Sequence, residues 1–228
     1  MLMRNTLAAT GLGLALALAG TMALAHGDVA PQPVDTEGLP EVGEEWLIEN
    51  PYRMTEVSED VWLRALEIGS SGYNQNCARC HGLEVVSGGI APDLRYLEAE
   101  EYGDEWFVER FRHGYTQNGT TKMPAFGELL GQEAAWAIRT YIEARPDGDD
   151  MEAASSELKE IRDTLKAGGG DIGALSARLR EIAVGIGTLS GAPVADSVAY
   201  RAANLLERDP GKTDKAAEIL TIGLSVAQ

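Results

Sequence analysis

Cys77 and Cys80 are the two cysteines of this 228-residue chain, and they stand in the run Cys77-Ala78-Arg79-Cys80-His81. Two thiols at this spacing can cycle as a redox dithiol, supply half of a tetrahedral zinc site, or add to the two vinyl groups of one haem while the next residue ligates its iron. A zinc site needs a second ligand pair, and neither another Cys-x-x-Cys nor a His-x-x-x-His follows. A thioredoxin-like dithiol sits between a strand and a helix, whereas the segment before Cys77 has helical periodicity and no Val- and Ile-rich parallel strand follows it. The spacing therefore predicts one covalent haem c, with Cys77 and Cys80 as thioether anchors and His81 as an axial ligand. No thiol is left over for a disulfide or a second haem.

The sixth ligand separates electron transfer from chemistry on a bound gas or peroxide. Beyond residue 25 the methionines are Met54, Met123 and Met151. Met123 follows His81 by 42 residues, enough chain to reach the opposite face of a macrocycle, and the adjacent Pro124 stiffens the loop that must present the sulfur. Met123 is the expected second iron ligand, since imidazole plus thioether raises the potential of a six-coordinate carrier. His113 is the rival, and it would give bis-histidine coordination. Met54 reads as core filler.

Residues 1–25 carry Arg4, an apolar stretch from Leu7 to Leu24 and the pair Ala23-x-Ala25, which predicts a secretory signal cleaved before His26 and a periplasmic destination. An uncleaved membrane anchor is the weaker reading, because the stretch is rich in Gly and Ala; no stable membrane insertion of the mature chain is expected. Cleavage removes Arg4 and no acid, taking the net charge from −17 to −18. Residues 26–151 hold 25 acids and 9 bases, and residues 152–228 hold 11 and 9. Such a field disfavours nucleic acid and anionic lipid and steers encounters with basic protein surfaces.

The elements that must position these side chains follow from periodicity. Pro31, Pro33 and Pro40 make residues 26–57 an extended N-terminal arm. A haem domain over 58–148 opens on a helix from Ser58, with Val61, Ala65 and Ile68 on one face, that delivers Cys77. A loop over Gly82 to Gly89, a helix from Tyr102 to His113 stopped by Gly114, the Met123 loop, and a helix from about Gly131 to Ala144 complete it. Asp147 to Asp150 reads as an exposed acidic linker. Beyond it, residues 152–228 form a helical extension of unknown role, with helices over Ala154 to Leu165, Ile172 to Leu189, Val194 to Glu207 and Lys212 to Val226. The fold class is all-α.

The runs from Tyr73 through Leu83 and from Ser87 through Arg95, the triplet Arg112-His113-Gly114, and Met123-Pro124 resemble the periplasmic cytochromes c-550 that accept electrons from pyrroloquinoline-quinone (PQQ) dependent alcohol dehydrogenases. The resemblance covers about residues 26–148. It implies a class I cytochrome c fold around the haem, and it implies that the Pro92 carbonyl accepts a hydrogen bond from the iron-bound imidazole. It further implies a PQQ-dependent alcohol dehydrogenase as electron donor, a terminal oxidase or another cytochrome as acceptor, and no enzymatic activity of the chain itself. The competing class is a haem-based sensor or peroxidase with a labile sixth ligand. Arg95 and Trp106 are candidates to hold a propionate. The extension has no counterpart in the resemblance.

Overall fold

The computed structural model describes residues 31–226; the expected export segment and His26 lie outside the described residues. Among the described residues eight α-helices and one small hairpin follow in the order α1 (Glu59–Asn76), α2 (Ala78–His81), α3 (Glu101–His113), β1 (Tyr115–Gln117), β2 (Thr120–Met123), α4 (Gly127–Glu143), α5 (Gly148–Lys166), α6 (Ile172–Gly185), α7 (Val198–Arg208) and α8 (Thr213–Val226), with short 3-10 turns at Leu83–Val85 and Leu94–Tyr96. The protein is essentially all-α, as its periodicity implies, and among the described residues no helix is long and apolar enough to cross a membrane.

α1 is the element everything else uses, because it has apolar residues on two faces. Ala65 and Tyr73 belong to a core shared with Phe107, Phe111, Trp136, Ile138 and Tyr141 from α3 and α4. Trp62 and Leu66, one helical step round, belong to a second core with Leu158 and Leu165 of α5, Leu179 of α6, Tyr200 and Leu206 of α7 and Leu220 of α8. The first face meets α4 at Gly69, where a Cβ would stand 2.0 Å from the Ala137 carbonyl oxygen; only glycine permits that approach. The second face carries the C-terminal helices, with α6 packed on α7, α7 on α8 and α8 on α5.

Helix ends follow their caps. Asp147, expected in an exposed linker, instead accepts a hydrogen bond from Asp149 N and starts α5 at Gly148 without a gap. Asp171 and Ser197 cap α6 and α7 in the same way. α6 stops at Gly185 rather than running on to Leu189, and α7 begins at Val198 rather than Val194. The intervening residues 186–197 form a loop that bonds to the end of α4: Asp196 N donates to Ala144 O (2.8 Å), Ser190 Oγ to Glu143 O (2.6 Å) and Asp147 N to Gly187 O (2.8 Å). α4 is interrupted at Gly131 (φ 78°, ψ 177°), so its regular part starts there, where the sequence places it.

The described part of the arm, residues 31–58, has turns but no helix or strand, and polar contacts hold it. The Gln132 side-chain amide donates to Gly43 O and Glu45 O (3.1 and 3.0 Å), and Leu47 N donates to its carbonyl oxygen (2.5 Å). Farther along, Asn50 N donates to Asp104 Oδ2 (2.9 Å), and Arg53 reaches Asp104 and Glu143 at 2.8 Å each. Asp104, Arg139 and Glu143 are all buried, so this is an ionic network inside the protein rather than on its surface.

A second polar junction fastens α7 to the start of α1. The Tyr200 hydroxyl donates to Glu59, the Tyr200 ring lies edge-on to Trp62 at 5.3 Å, and Arg208 bonds both Glu59 (3.2 Å) and Asp60 (2.5 Å). Partial burial opposes ionisation of Glu59, but the bonds from Tyr200 and Arg208 outweigh it and hold the carboxyl below its ordinary value of 4.5. Because the folded value is depressed, the stabilisation is complete above pH 4.5 and is lost as pH falls through the lowered folded value. Urea midpoints measured from pH 7 down to pH 3 are expected to fall through that window, and less steeply in Glu59→Gln.

Candidate haem-binding site

α1 ends at Asn76, and Cys77 N still donates to Tyr73 O (2.7 Å). The next turn, α2, carries Cys80 and His81, whose amide nitrogens both donate to Cys77 O (3.1 and 3.0 Å). The attachment run is thus a single helical turn continuing α1, with both thiols free. Gly82 (φ 85°) ends it, and a Cβ there would meet Val86 O at 1.8 Å. Tyr73 fixes this exit, since its hydroxyl donates to Gly82 O (2.8 Å).

His81 Nδ1 lies 2.9 Å from Pro92 O. A carbonyl oxygen only accepts, so Nδ1 carries the proton and Nε2 keeps its lone pair. That is the tautomer an iron-ligating imidazole requires, with the ring oriented by the backbone behind it. Pro92 is held in turn: Asp93, the next residue, accepts from Arg95 N, Nε and Nη2 (3.1, 3.0 and 2.7 Å), and Ser87 Oγ donates to Ala91 O (2.5 Å). Arg95 is therefore occupied by Asp93, and Trp106 lies under the Arg110 guanidinium at 5.5 Å.

The alternative chemistries fare poorly in this setting. Burial, and secondarily the neighbouring Cys80, pushes the Cys77 thiol up to about 12, the opposite of the depressed value an attacking dithiol needs. Among the described residues no group of three or more His, Cys, Asp or Glu could hold a metal ion, which leaves a zinc site without ligands. The donor set, two free thiols with a backbone-oriented imidazole, fits haem c.

Met123 ends β2, and the sequence reading of that region as a loop is corrected here. β1 and β2 pair antiparallel, with Tyr115 opposite Met123, Gln117 opposite Thr120 and a bulge after Tyr115. The turn is Asn118-Gly119, both with positive φ (50° and 75°), the dipeptide that favours a two-residue hairpin. That signal was present in the sequence. Met123, Cys77 and Ala78 all pack against the same apolar core. His113 does not join them: its side chain is 57% exposed at the end of α3, with Nε2 3.7 Å from Glu109 Oε2. Met54 packs against the other core, as does buried Met151.

Supporting residues that sequence reasoning missed are Tyr73, Tyr141, Glu84 and Arg145. Arg145 Nη1 contacts Glu84 Oε2 (2.9 Å), the Tyr141 hydroxyl reaches the same oxygen (3.3 Å), and the Arg145 guanidinium lies 3.9 Å from the Tyr141 ring centre. Nothing in local spacing pairs residues this far apart.

Residues 64–142 match the family model described as cytochrome C oxidase, cbb3-type, subunit III. A cytochrome c550 of Pseudomonas aeruginosa is 52% identical over 142 residues, which cover 62% of this chain and 92% of that relative. Two quinohemoprotein alcohol dehydrogenases of Pseudomonas putida, ADH-IIG and ADH IIB, are 33% and 31% identical over 34% and 44% of this chain, but the chain spans only 10% and 13% of their lengths. No solved structure matches the chain at a significant level. A free thiol pair on one helical turn, a backbone-oriented imidazole and a relative matched over nearly its whole length together place the chain in the cytochrome c550 family, as an electron-transfer protein with one covalently bound haem c.

Proposed function

We propose that the chain is a periplasmic one-electron carrier that accepts electrons from a PQQ-dependent alcohol dehydrogenase and passes them toward a terminal oxidase or another cytochrome. Haem c supplies the one-electron iron couple. Cys77 and Cys80 would anchor it as thioethers, and His81 through Nε2 and Met123 through its sulfur would ligate its iron. Pro92 O holds the imidazole ring and makes it a stronger donor.

The reading rests chiefly on the bond between His81 Nδ1 and Pro92 O, which leaves Nε2 as the ring nitrogen available to a metal. Met123, Cys77 and Ala78 all pack against one apolar core, which supports the thioether as second ligand and favours a closed carrier over a sensor or peroxidase. Residues 1–25 act as the export signal, cleaved before His26. Two of the relatives are quinohemoprotein alcohol dehydrogenases, and their similarity to this chain supports an alcohol dehydrogenase as donor. The −17 net charge favours a basic docking surface on the partner.

An anaerobic redox titration with optical spectra, followed by stopped-flow reduction by a PQQ-dependent alcohol dehydrogenase, tests both parts. The expected result is a low-spin spectrum in both oxidation states and rapid single-exponential reduction. A high-spin ferric spectrum rejects the ligand set; a normal spectrum with no reduction at micromolar dehydrogenase rejects the donor alone.

A further inference from the structure

The turn that follows His81 is strained. Glu84 (φ 52°, ψ 24°) and Val85 (φ 65°) are consecutive non-glycine residues in the left-handed region, and Val85 is both β-branched and buried. Such a conformation persists only where surrounding contacts over-determine it. Tyr73 holds one side of the turn through Gly82 O, and the other side is held through the Glu84 carboxylate by Arg145 and the Tyr141 hydroxyl.

Arg145 is itself buried and leans on three supports. Nε donates to Tyr141 O (3.0 Å), the guanidinium covers the Tyr141 ring, and Nη2 donates to Asp196 Oδ2 (2.5 Å). The Asp196 side chain is fully buried and also takes both forks of Arg201, at 2.5 Å each. Asp196 stands on the loop 186–197, which bonds to both sides of the haem motif's support: to Ala144 and Glu143 at the end of α4, and through Ser190 O to Ala99 N (2.9 Å), a few residues beyond Pro92. An unbroken path of charged hydrogen bonds thus runs from α7 through Asp196, Arg145 and Glu84 to the turn three residues past the iron-ligating histidine.

We propose that Asp196 is a positioning residue for the haem loop, fixing Arg145 so that it clamps Glu84, and that the C-terminal extension thereby acts as a clasp that sets the conformation of the turn and, through it, the reduction potential. The second half of this inference rests on the reading of His81 as an iron ligand; the first half does not. The hydrogen-bonded route from Asp196 to the turn passes through Arg145, and Arg201, also gripped by Asp196, acts on the same Glu84 carboxylate, so the influence of Asp196 has to vanish once Glu84 is no longer charged.

A double-mutant cycle on the full-length holoprotein, with Asp196→Asn and Glu84→Gln, tests this. The N–H of Val86, which donates to Leu83 O across the turn (3.0 Å), reports the clasp by hydrogen exchange, and an optical redox titration reports the iron. Each single variant is expected to speed Val86 exchange at least tenfold and to shift the ferric-to-ferrous ratio at fixed potential about tenfold, ~59 mV for a one-electron couple. The double variant is expected to go no further than the larger single effect. Val86 exchange within twofold of wild type in Asp196→Asn, even with a lower unfolding midpoint, makes the extension a stabilising cap and overturns the proposal, as do fully additive effects. Faster, non-additive exchange with an unchanged potential overturns the redox half alone. Glu84 is half exposed, so Glu84→Gln keeps the test available if Asp196→Asn does not fold; unchanged exchange in it also overturns the clasp. Loss of the chromophore on acid-acetone treatment would instead reject the haem reading, and Val86 exchange is readable either way.

Discussion

Met123→Ala is expected to abolish the ferric thioether-to-iron charge-transfer band while leaving the red chromophore attached, because Cys77 and Cys80 are untouched. The ferrous variant should take up carbon monoxide rapidly, which the parent should not. The midpoint potential should fall by on the order of 0.2 V, a fraction of the ≈ 0.8 V that axial ligation spans. His113 offers no rescue, since its ring is turned outward beside Glu109, and His113→Ala should leave spectrum and potential as they were. Retention of the band in Met123→Ala would remove this methionine from the ligand set.

Asp104→Ala should have the largest effect on stability of any single change outside the haem ligands. Asp104 is fully buried and accepts three bonds: from Arg139 Nε (2.7 Å), Arg53 Nη2 (2.8 Å) and Asn50 N (2.9 Å). Alanine leaves Arg139, equally buried, with its ionic contact to Glu143 at 3.8 Å and two backbone carbonyls near Leu97 and Glu98. Breaking a buried pair by removing one partner costs about 3–5 kcal/mol, because the remaining charge is stranded away from water. The same change frees Asn50 N and so loosens the N-terminal arm. Urea unfolding of the holoprotein reads the loss, and a change in midpoint worth under about 1 kcal/mol would show that water or Glu143 compensates.

Much of the site was legible because its information is local. The attachment run is contiguous, and the helix that presents it has an apolar face and a serine before its first turn, although the Ser58 side chain makes no capping bond. The ends of α3 and α8 were readable from Gly114 and from periodicity. The hairpin was equally local and went unread, since Asn118-Gly119 is flanked by polar threonines rather than by alternating apolar residues.

The rest depended on distant packing. Val61 packs inward against the first core as expected, but the burial of Trp62 and Leu66 in the other core went unread, because α1 serves two cores and a single-face pattern cannot reveal a second. Nothing local marks Arg53, Asp104, Arg139 and Glu143 as a network, since Arg53 and Arg139 reach the two carboxylates mostly from distant parts of the chain. α6 was overextended because Ile186 is buried and keeps the apolar rhythm after the helix has ended.

The junction of Tyr200 and Arg208 with the first turn of α1 joins residues 141 and 149 positions apart along the chain. Contacts of such separation must close a long loop before they return any energy, and chains dominated by them acquire structure slowly. A polypeptide emerging amino end first would offer the attachment cysteines to their cofactor well before α7 arrives to cover Trp62. The thiols are then accessible in a loosely organised chain, and late docking of the carboxyl-terminal helices would seal the finished molecule.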